Sequence, residues 1–225
     1  MKQKTLAAPI VTETEPVTLV GGGDLGPGDL SMCLSRAPRA VAADGGADRL
    51  LAAGHPPLAV IGDLDSLSER ARAAFGDRLH RIDEQDTTDF EKCLTRIAAP
   101  LVLATGFLGG RLDHTFATLS VLARLAARHV VLVGPAQVAC LLPQGETAVR
   151  VEPGSPMALL PLGEARVSSR GLVWDLDQAA LALDGMVSSS NRAAADRVDL
   201  RVSGPVLLTL APRDLDAAMA CSRRR

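Results

Sequence analysis

The first 135 residues repeat one pattern: a short unbroken apolar run, then Gly or Asp, then a stretch of helical character. The runs are Val17–Val20, Ala40–Ala43, Leu58–Ile61, Leu101–Ala104 and Val130–Val133. Continuous rather than alternating hydrophobicity marks strands buried on both faces, as in a parallel sheet covered by helices. Helices are expected between them, near residues 47–54, 67–75, 89–98 and 114–128. Strand–helix alternation predicts an α/β layer fold. Ser66-Leu67-Ser68-Glu69 and Thr88-Asp89-Phe90-Glu91 have the spacing of capping boxes, and Asp113 can cap the long helix after it.

From about residue 136 the texture changes. Short apolar runs are separated by turn signals such as Pro143-Gln144-Gly145, Pro153-Gly154, Asp184-Gly185 and Gly204-Pro205. Candidate strands are Thr147–Val151, Met157–Leu160, Ala180–Leu183, Leu200–Val202 and Val206–Leu210. This predicts a smaller antiparallel β domain, a sandwich. The expected organisation is an N-terminal extension over 1–16, a parallel-sheet α/β domain over 17–135 and a β-sandwich domain over 136–225. The tail Ser222–Arg225 is expected to be frayed.

Composition narrows the function. The chain is 47% hydrophobic and 22% charged, enough to bury a core. Its net charge of −2 argues against nucleic-acid and polybasic membrane binding. Four Phe, one Trp and no Tyr are too few for base-stacking platforms. No apolar run approaches the roughly 18 residues of a spanning helix, and the N-terminus does not read as a signal peptide, so a cytoplasmic location is expected. Cys33, Cys93, Cys140 and Cys221 form no CxxC and suggest free thiols rather than zinc ligands or disulfides. Beyond Lys4 the only lysine is Lys92, and no Walker P-loop exists.

The carboxylates carry the candidate chemistry. Of 18 Asp, nine lie between residues 44 and 113. Asp44 sits in ADGGAD, Asp63 and Asp65 in GDLDS, Asp86 and Asp89 in EQDTTDFEK, and Asp113 in GGRLDHT. Each group follows a strand candidate and precedes a helix. In an open parallel sheet such positions gather at the carboxyl edge, where ligands bind. Carboxylates crowded together need a compensating cation, and hard oxygen ligands favour Mg²⁺ or Ca²⁺, the former sharing its shell with phosphates. Gly45-Gly46 and Gly109-Gly110 read either as turns or as loops whose N–H groups approach phosphate. Asp89 and Asp113 read equally as helix caps. Arg111 suits a phosphate contact.

ADGGA (43–47), GDLDS (62–66), QDTTDFEKCL (85–94) and GGRLDHT (109–115), in this order and spacing, resemble the thiamin pyrophosphokinase family. GLVWDL (171–176) and VSSSN (187–191) resemble its C-terminal thiamin-binding segment, and the likeness spans roughly residues 17–210. The resemblance implies a nucleotide-binding α/β domain followed by a β-sandwich, and a homodimer with thiamin near its interface. It implies transfer of a pyrophosphoryl group from ATP to thiamin, giving AMP and thiamin diphosphate, with Mg²⁺. Asp63, Asp65 and Asp89 would hold the metal. Asp44, Asp65, Asp89, Arg111 and Asp113 would be catalytic. Gly45, Gly46, Gln85, Thr88, Gly109 and Gly110 would complete the nucleotide site, and Trp174, Ser188, Ser190 and Asn191 would hold thiamin. Position 93 is Cys where Ala is common in this motif.

Two other functions fit parts of the chain. Ala59–Asp65 resembles the strand and DxD of a phosphohydrolase with an aspartyl nucleophile, for which Lys92 would be the one available downstream lysine. A non-catalytic nucleotide- or thiamin-binding regulator would keep the glycine loops but would not need so many carboxylates.

Overall fold

A computed structural model describes residues 8–222, and the chain divides into two compact units, 1–121 and 122–225. Arg223–Arg225 of the expected frayed tail lie outside the described residues.

In the first unit, β1 (Val11–Thr12) is followed by β2 (Val17–Val20), α1 (Asp29–Leu34), β3 (Arg39–Ala43), α2 (Gly46–Ala52), β4 (Ala59–Gly62) and α3 (Glu69–Ala74). Then come β5 (Leu79–Arg81), α4 (Asp89–Leu94), β6 (Ile97–Ala98), β7 (Val102–Thr105) and the start of α5 (Leu112–Arg124). The parallel order is β7-β2-β3-β4-β5, with Val17 opposite both Arg39 and Val102. The chain builds outward from β2 to β5 and then returns to β7 on the other side of β2. That reversal makes β2 and β7 the switch point of the sheet, and open α/β sheets bind ligands beside the carboxyl ends of such strands. The short pair β1–β6, also parallel, was not legible in the sequence.

The runs read from the sequence form strands because both faces are covered. All four residues of β2, β4 and β7 are buried. Val20, Ala42, Val60 and Leu50 of α2 meet Leu67, Ala71 and Phe75 in one cluster. Helix bounds differ from expectation where caps decide them. Thr88 caps α4 as expected, accepting from the Glu91 N–H. For α3 the cap is Ser68, which accepts from the Ala71 N–H, so the Ser66 box is shifted by two residues. Asp113 lies inside the first turn of α5 and does not cap it.

The second unit contains β8 (Val130–Val133), β9 (Val138–Leu141), β10 (Gly145–Arg150), β11 (Pro156–Pro161), β12 (Ala165–Arg170), β13 (Ala179–Leu181), β14 (Ser188–Arg192), β15 (Arg197–Ser203), β16 (Val206–Leu210) and α6 (Leu215–Ser222). Strands pair antiparallel in the order β14-β11-β16-β9-β8, and a four-stranded sheet runs β10-β15-β12-β13. Val130–Val133, read as a strand from its apolar run, forms a hairpin with β9 and pairs antiparallel with it. A fully buried run does not reveal its pairing direction, and the turn closed by Gly134 N–H to the Gln137 carbonyl makes the hairpin. In β15 the alternation is clean: Val198, Leu200 and Val202 are buried while Arg197, Asp199 and Arg201 face out. Ser222, expected in a frayed tail, is buried at the end of α6.

Two features are testable. A Cβ on Gly46 would stand 2.0 Å from the Val20 carbonyl oxygen, whereas one on Gly22 would meet nothing nearer than 3.6 Å. Gly46→Ala is expected to cost about 3 kcal/mol or more, and Gly22→Ala less than about 1 kcal/mol, in denaturant unfolding. All four cysteines are buried, and burial pushes the Cys33 thiol up to about 12 and Cys221 to about 11. These raised values contribute stability below the ordinary thiol pKa of about 8.5, lost progressively above it. Unfolding free energy should therefore fall between pH 8 and 10, and a thiol reagent at pH 8 should modify the chain no faster than it unfolds.

Candidate functional site

The carboxyl edge of the first unit is built by three consecutive chain reversals. β3 runs into Asp44, which takes a left-handed φ of 44° and starts the turn into α2. β4 runs into Asp63, Leu64 (φ 66°) and Asp65. The Thr88 cap places Asp89 in the first turn of α4. These loops can approach because Gly62 has no side chain. A Cβ there would lie 3.0 Å from Asp44 Cβ and 3.3 Å from Asp89 Oδ1.

Oxygens of Asp44, Asp63 and Asp65 all lie within 4.8 Å of one another. Two unit charges at that separation repel by about 3 kcal/mol at an effective dielectric near 20. The chain offsets part of this with its own donors. Ser66 N–H donates to Asp44 Oδ2 at 3.2 Å, Ser66 Oγ donates to Asp65 Oδ1 at 3.0 Å, and Asp65 N–H donates to Asp63 Oδ1 at 3.4 Å. The buried Lys92 ammonium sits 3.0 Å from Asp89 Oδ1 and 3.4 Å from Asp63 Oδ2.

The residual charge is uneven. Burial raises the Asp44 carboxyl above its usual range, and the Asp89 and Asp63 charges add to that against the Ser66 hydrogen bonds. Burial also pushes Asp63 up, but the Asp65 amide and the Lys92 ammonium outweigh it and hold Asp63 low. Burial pulls Lys92 down, yet Asp89 and Asp63 more than reverse this and raise it. Asp44 Oδ1 is buried with no hydrogen-bond partner. An orphaned buried carboxylate oxygen costs about 1–3 kcal/mol or more. With Asp63 and Asp65 beside it, the all-oxygen donor set fits a hard divalent cation such as Mg²⁺.

The other expected residues fall in three places. Gly45 and Gly46 open α2 directly behind Asp44. Thr88 uses its oxygen as a helix cap, and the exposed Gln85 donates weakly to the Asp83 carbonyl at 3.4 Å. Gly109 and Gly110 take left-handed φ of 86° and 61°. The next residue, Arg111, forks onto Asp113, Nε to Oδ1 at 3.1 Å and Nη2 to Oδ2 at 2.5 Å. This pair is exposed, raises Arg111, lowers Asp113, and shares no bond with the Asp44 group among the described residues. In the second unit Ser188 and Asn191 are buried, while Ser190 and Trp174 are exposed. Asn191 spends its amide on the Trp174 backbone, Oδ1 accepting from N–H at 3.2 Å and Nδ2 donating to the carbonyl at 2.8 Å.

Sequence reasoning passed over three contributors. Lys92 stood out as a lone lysine and as the downstream lysine of the hydrolase reading, but nothing in its position showed that it would be buried against two aspartates. Ser66 was read as a cap. Asp24 lies beside the Gly109-Gly110 loop, its Oδ2 3.0 Å from where a Gly110 Cβ would be. The Lys92–Asp63 contact is also what an aspartyl phosphohydrolase would need, so that contact alone does not separate the two enzymes.

The fold and site together define a two-part enzyme: an α/β unit with an acidic carboxyl edge, followed by an antiparallel β unit. Residues 30–133 match the family model described as thiamin pyrophosphokinase, catalytic domain, and residues 147–207 match thiamin pyrophosphokinase, vitamin B1 binding domain. Thiamine pyrophosphokinase 3 of Oryza sativa subsp. japonica is 30% identical over 190 residues, covering 69% of this chain and 71% of the relative. The solved thiamin pyrophosphokinase of Geobacillus thermodenitrificans is 27% identical with a TM-score of 0.74, covering 87% of this chain and 96% of its own. That of Candida albicans superposes with a TM-score of 0.77 at 18% identity, over 88% and 89%. The chain belongs to the thiamin pyrophosphokinase family, a family of enzymes.

Lys92→Met tests the charge balance. Removing the ammonium leaves Asp63 and Asp89 facing each other, at an expected cost of about 1–3 kcal/mol at pH 7. Asp63, held low in the fold, contributes stability above its ordinary pKa of about 3.9 that is lost as pH falls. The penalty of Lys92→Met should therefore shrink as pH is lowered from 7 to 3. A constant penalty in thermal melts would mean that Lys92 acts through packing alone.

Proposed function

We propose that this chain transfers the pyrophosphoryl group of ATP to the hydroxyl of thiamin, releasing AMP, with Mg²⁺. The observation that carries the proposal is the buried, unpartnered Asp44 Oδ1 beside Asp63 and Asp65. Family membership supplies the reaction class, and the solved relatives' titles name thiamin pyrophosphokinases.

Asp63, Asp65 and Asp89 would hold the metal, with Asp44 closing the set. A Mg²⁺ ion held there would supply neutralisation of the phosphate charge. The chain's own work is positioning. Lys92 keeps Asp63 ionised and pairs with Asp89. The amides of Gly45 and Gly46, and of the Gly109-Gly110 loop, would receive the phosphate chain. Arg111 is already held flat by Asp113 in a two-bond fork, the geometry that also grips two phosphate oxygens. Exchange of carboxylate for phosphate would bring that guanidinium to the reacting group. Trp174 in the second unit would receive the thiamin ring, with Ser188, Ser190 and Asn191 around it. A homodimer is supported by large apolar side chains left exposed: Leu112 and Phe116 in one unit, and Trp174, Leu183 and Met186 in the other.

AMP release should require ATP, thiamin and a divalent cation together, and omission of any one should abolish it. Release of phosphate from ATP without thiamin would favour the hydrolase instead. Asp65→Asn should lower kcat at least about a hundredfold, near 2.7 kcal/mol, with little change in melting temperature because Asp65 is exposed. Arg111→Lys should lower kcat by a similar factor with a smaller change in ATP affinity, because one point charge replaces a planar fork. Retained kcat in Arg111→Lys would confine Arg111 to its pairing with Asp113.

A further inference from the structure

Trp174 is the single tryptophan of the chain, and it is 56% exposed. The backbone that carries it is nonetheless tied down from two sides. From below, the Asp175 carboxylate folds the segment onto its own start: Oδ1 accepts from Ser169 Oγ at 2.8 Å and from the Leu172 N–H at 3.0 Å, and Oδ2 accepts from the Gly171 N–H at 3.3 Å. Ser169 Oγ in turn accepts from the Leu176 N–H at 2.8 Å, so the loop is closed at both ends.

From the side, the buried Asn191 amide brackets the Trp174 peptide with one accepted and one donated bond. The Val173 N–H donates to the Arg192 carbonyl at 3.0 Å, and the Arg192 guanidinium lies 5.6 Å from the indole centroid. The ring thus already carries one cation contact and still remains more than half exposed. A loop bonded this fully does not need to be ordered on binding, and an ordered aromatic platform avoids the entropy cost that a mobile one would incur.

We propose that Asp175 and Asn191 are positioning residues that hold the Trp174 loop in place, so that the indole is ready to stack on a flat cationic aromatic ligand. Asp175 holds the amides at the start of the loop, and Asn191 holds the Trp174 peptide itself. The proposal rests on the thiamin reading above, and extends it by giving Asn191 a part other than direct contact and by adding Asp175. Tryptophan is the best of the aromatic side chains for such a cation, and the Asp175 charge next in sequence complements it.

The lone tryptophan makes the test direct, since all indole emission comes from this loop. Emission anisotropy, acrylamide quenching, thiamin affinity by calorimetry and steady-state kinetics are compared in wild type, Asp175→Ala and Asp175→Asn. In Asp175→Ala, anisotropy should fall, quenching should rise and thiamin should bind about tenfold more weakly. In the same variant, kcat at saturating thiamin and the KM for ATP should stay within about threefold, because the loop acts on ground-state and transition-state binding alike. Asp175→Asn keeps one acceptor oxygen and should fall between. Thiamin affinity within about twofold of wild type in Asp175→Ala would overturn the proposal. Thiamin binding to wild type that leaves the indole emission unchanged would overturn it alone. No thiamin binding by calorimetry to wild type would overturn the functional reading and this one with it. If Asp175→Ala does not fold, Ser169→Ala, which removes the hydroxyl that donates to Asp175 and accepts from the Leu176 N–H, carries the same test with the same criteria.

Discussion

Mutual repulsion among carboxylates held at one sheet edge governs the first unit. Asp44, Asp63 and Asp65 come within 4.8 Å because two strand ends and one missing side chain, that of Gly62, bring them there. Folding of this edge has to supply positive charge and donors. The chain supplies Lys92, two amides and a serine hydroxyl, and leaves one buried oxygen of Asp44 unanswered. A structure serving stability alone would place a donor on that oxygen. Functional sites are where such local inconsistency is expected.

The same economy of backbone holds the parallel sheet around the site. Gly46 lets α2 start against the Val20 carbonyl, which turns the chain sharply after Asp44. The strand order reverses at β2, between β3 and β7. In the second unit, by contrast, side chains rather than glycines do the shaping. Asp175 and Asn191 hold a loop by satisfying its amides, and the result is an exposed indole on a firm base.

Much of this was legible in the sequence. Continuous apolar runs located β2, β3, β4 and β7 within a residue, and the motifs ADGGA, GDLDS and QDTTDFEK located the acidic edge. Hydrophobicity could not give pairing direction, so the antiparallel hairpin of Val130–Val133 with β9 was not legible. Helix starts were legible where a capping side chain closes on its own helix, as at Thr88. They were not where two serines compete, as at Ser66 and Ser68, or where no side chain caps at all, as at Gly28 before α1. Strands such as β12 and β14, rich in Ser and Arg, carry little apolar signal and were missed. Lys92 was visible as a residue but not as a buried counter-charge, because burial of a lysine depends on which carboxylates the fold brings to it.

The most direct measurement is calorimetric titration of Mg²⁺ into the wild-type chain and Asp63→Asn, each with and without a non-hydrolysable ATP analogue. If the acidic edge is a shared metal–phosphate centre, Mg²⁺ should bind wild type weakly alone and at least about tenfold more tightly with the nucleotide, and Asp63→Asn should lose that gain. Equal Mg²⁺ affinity with and without nucleotide, or an undiminished gain in Asp63→Asn, would contradict it.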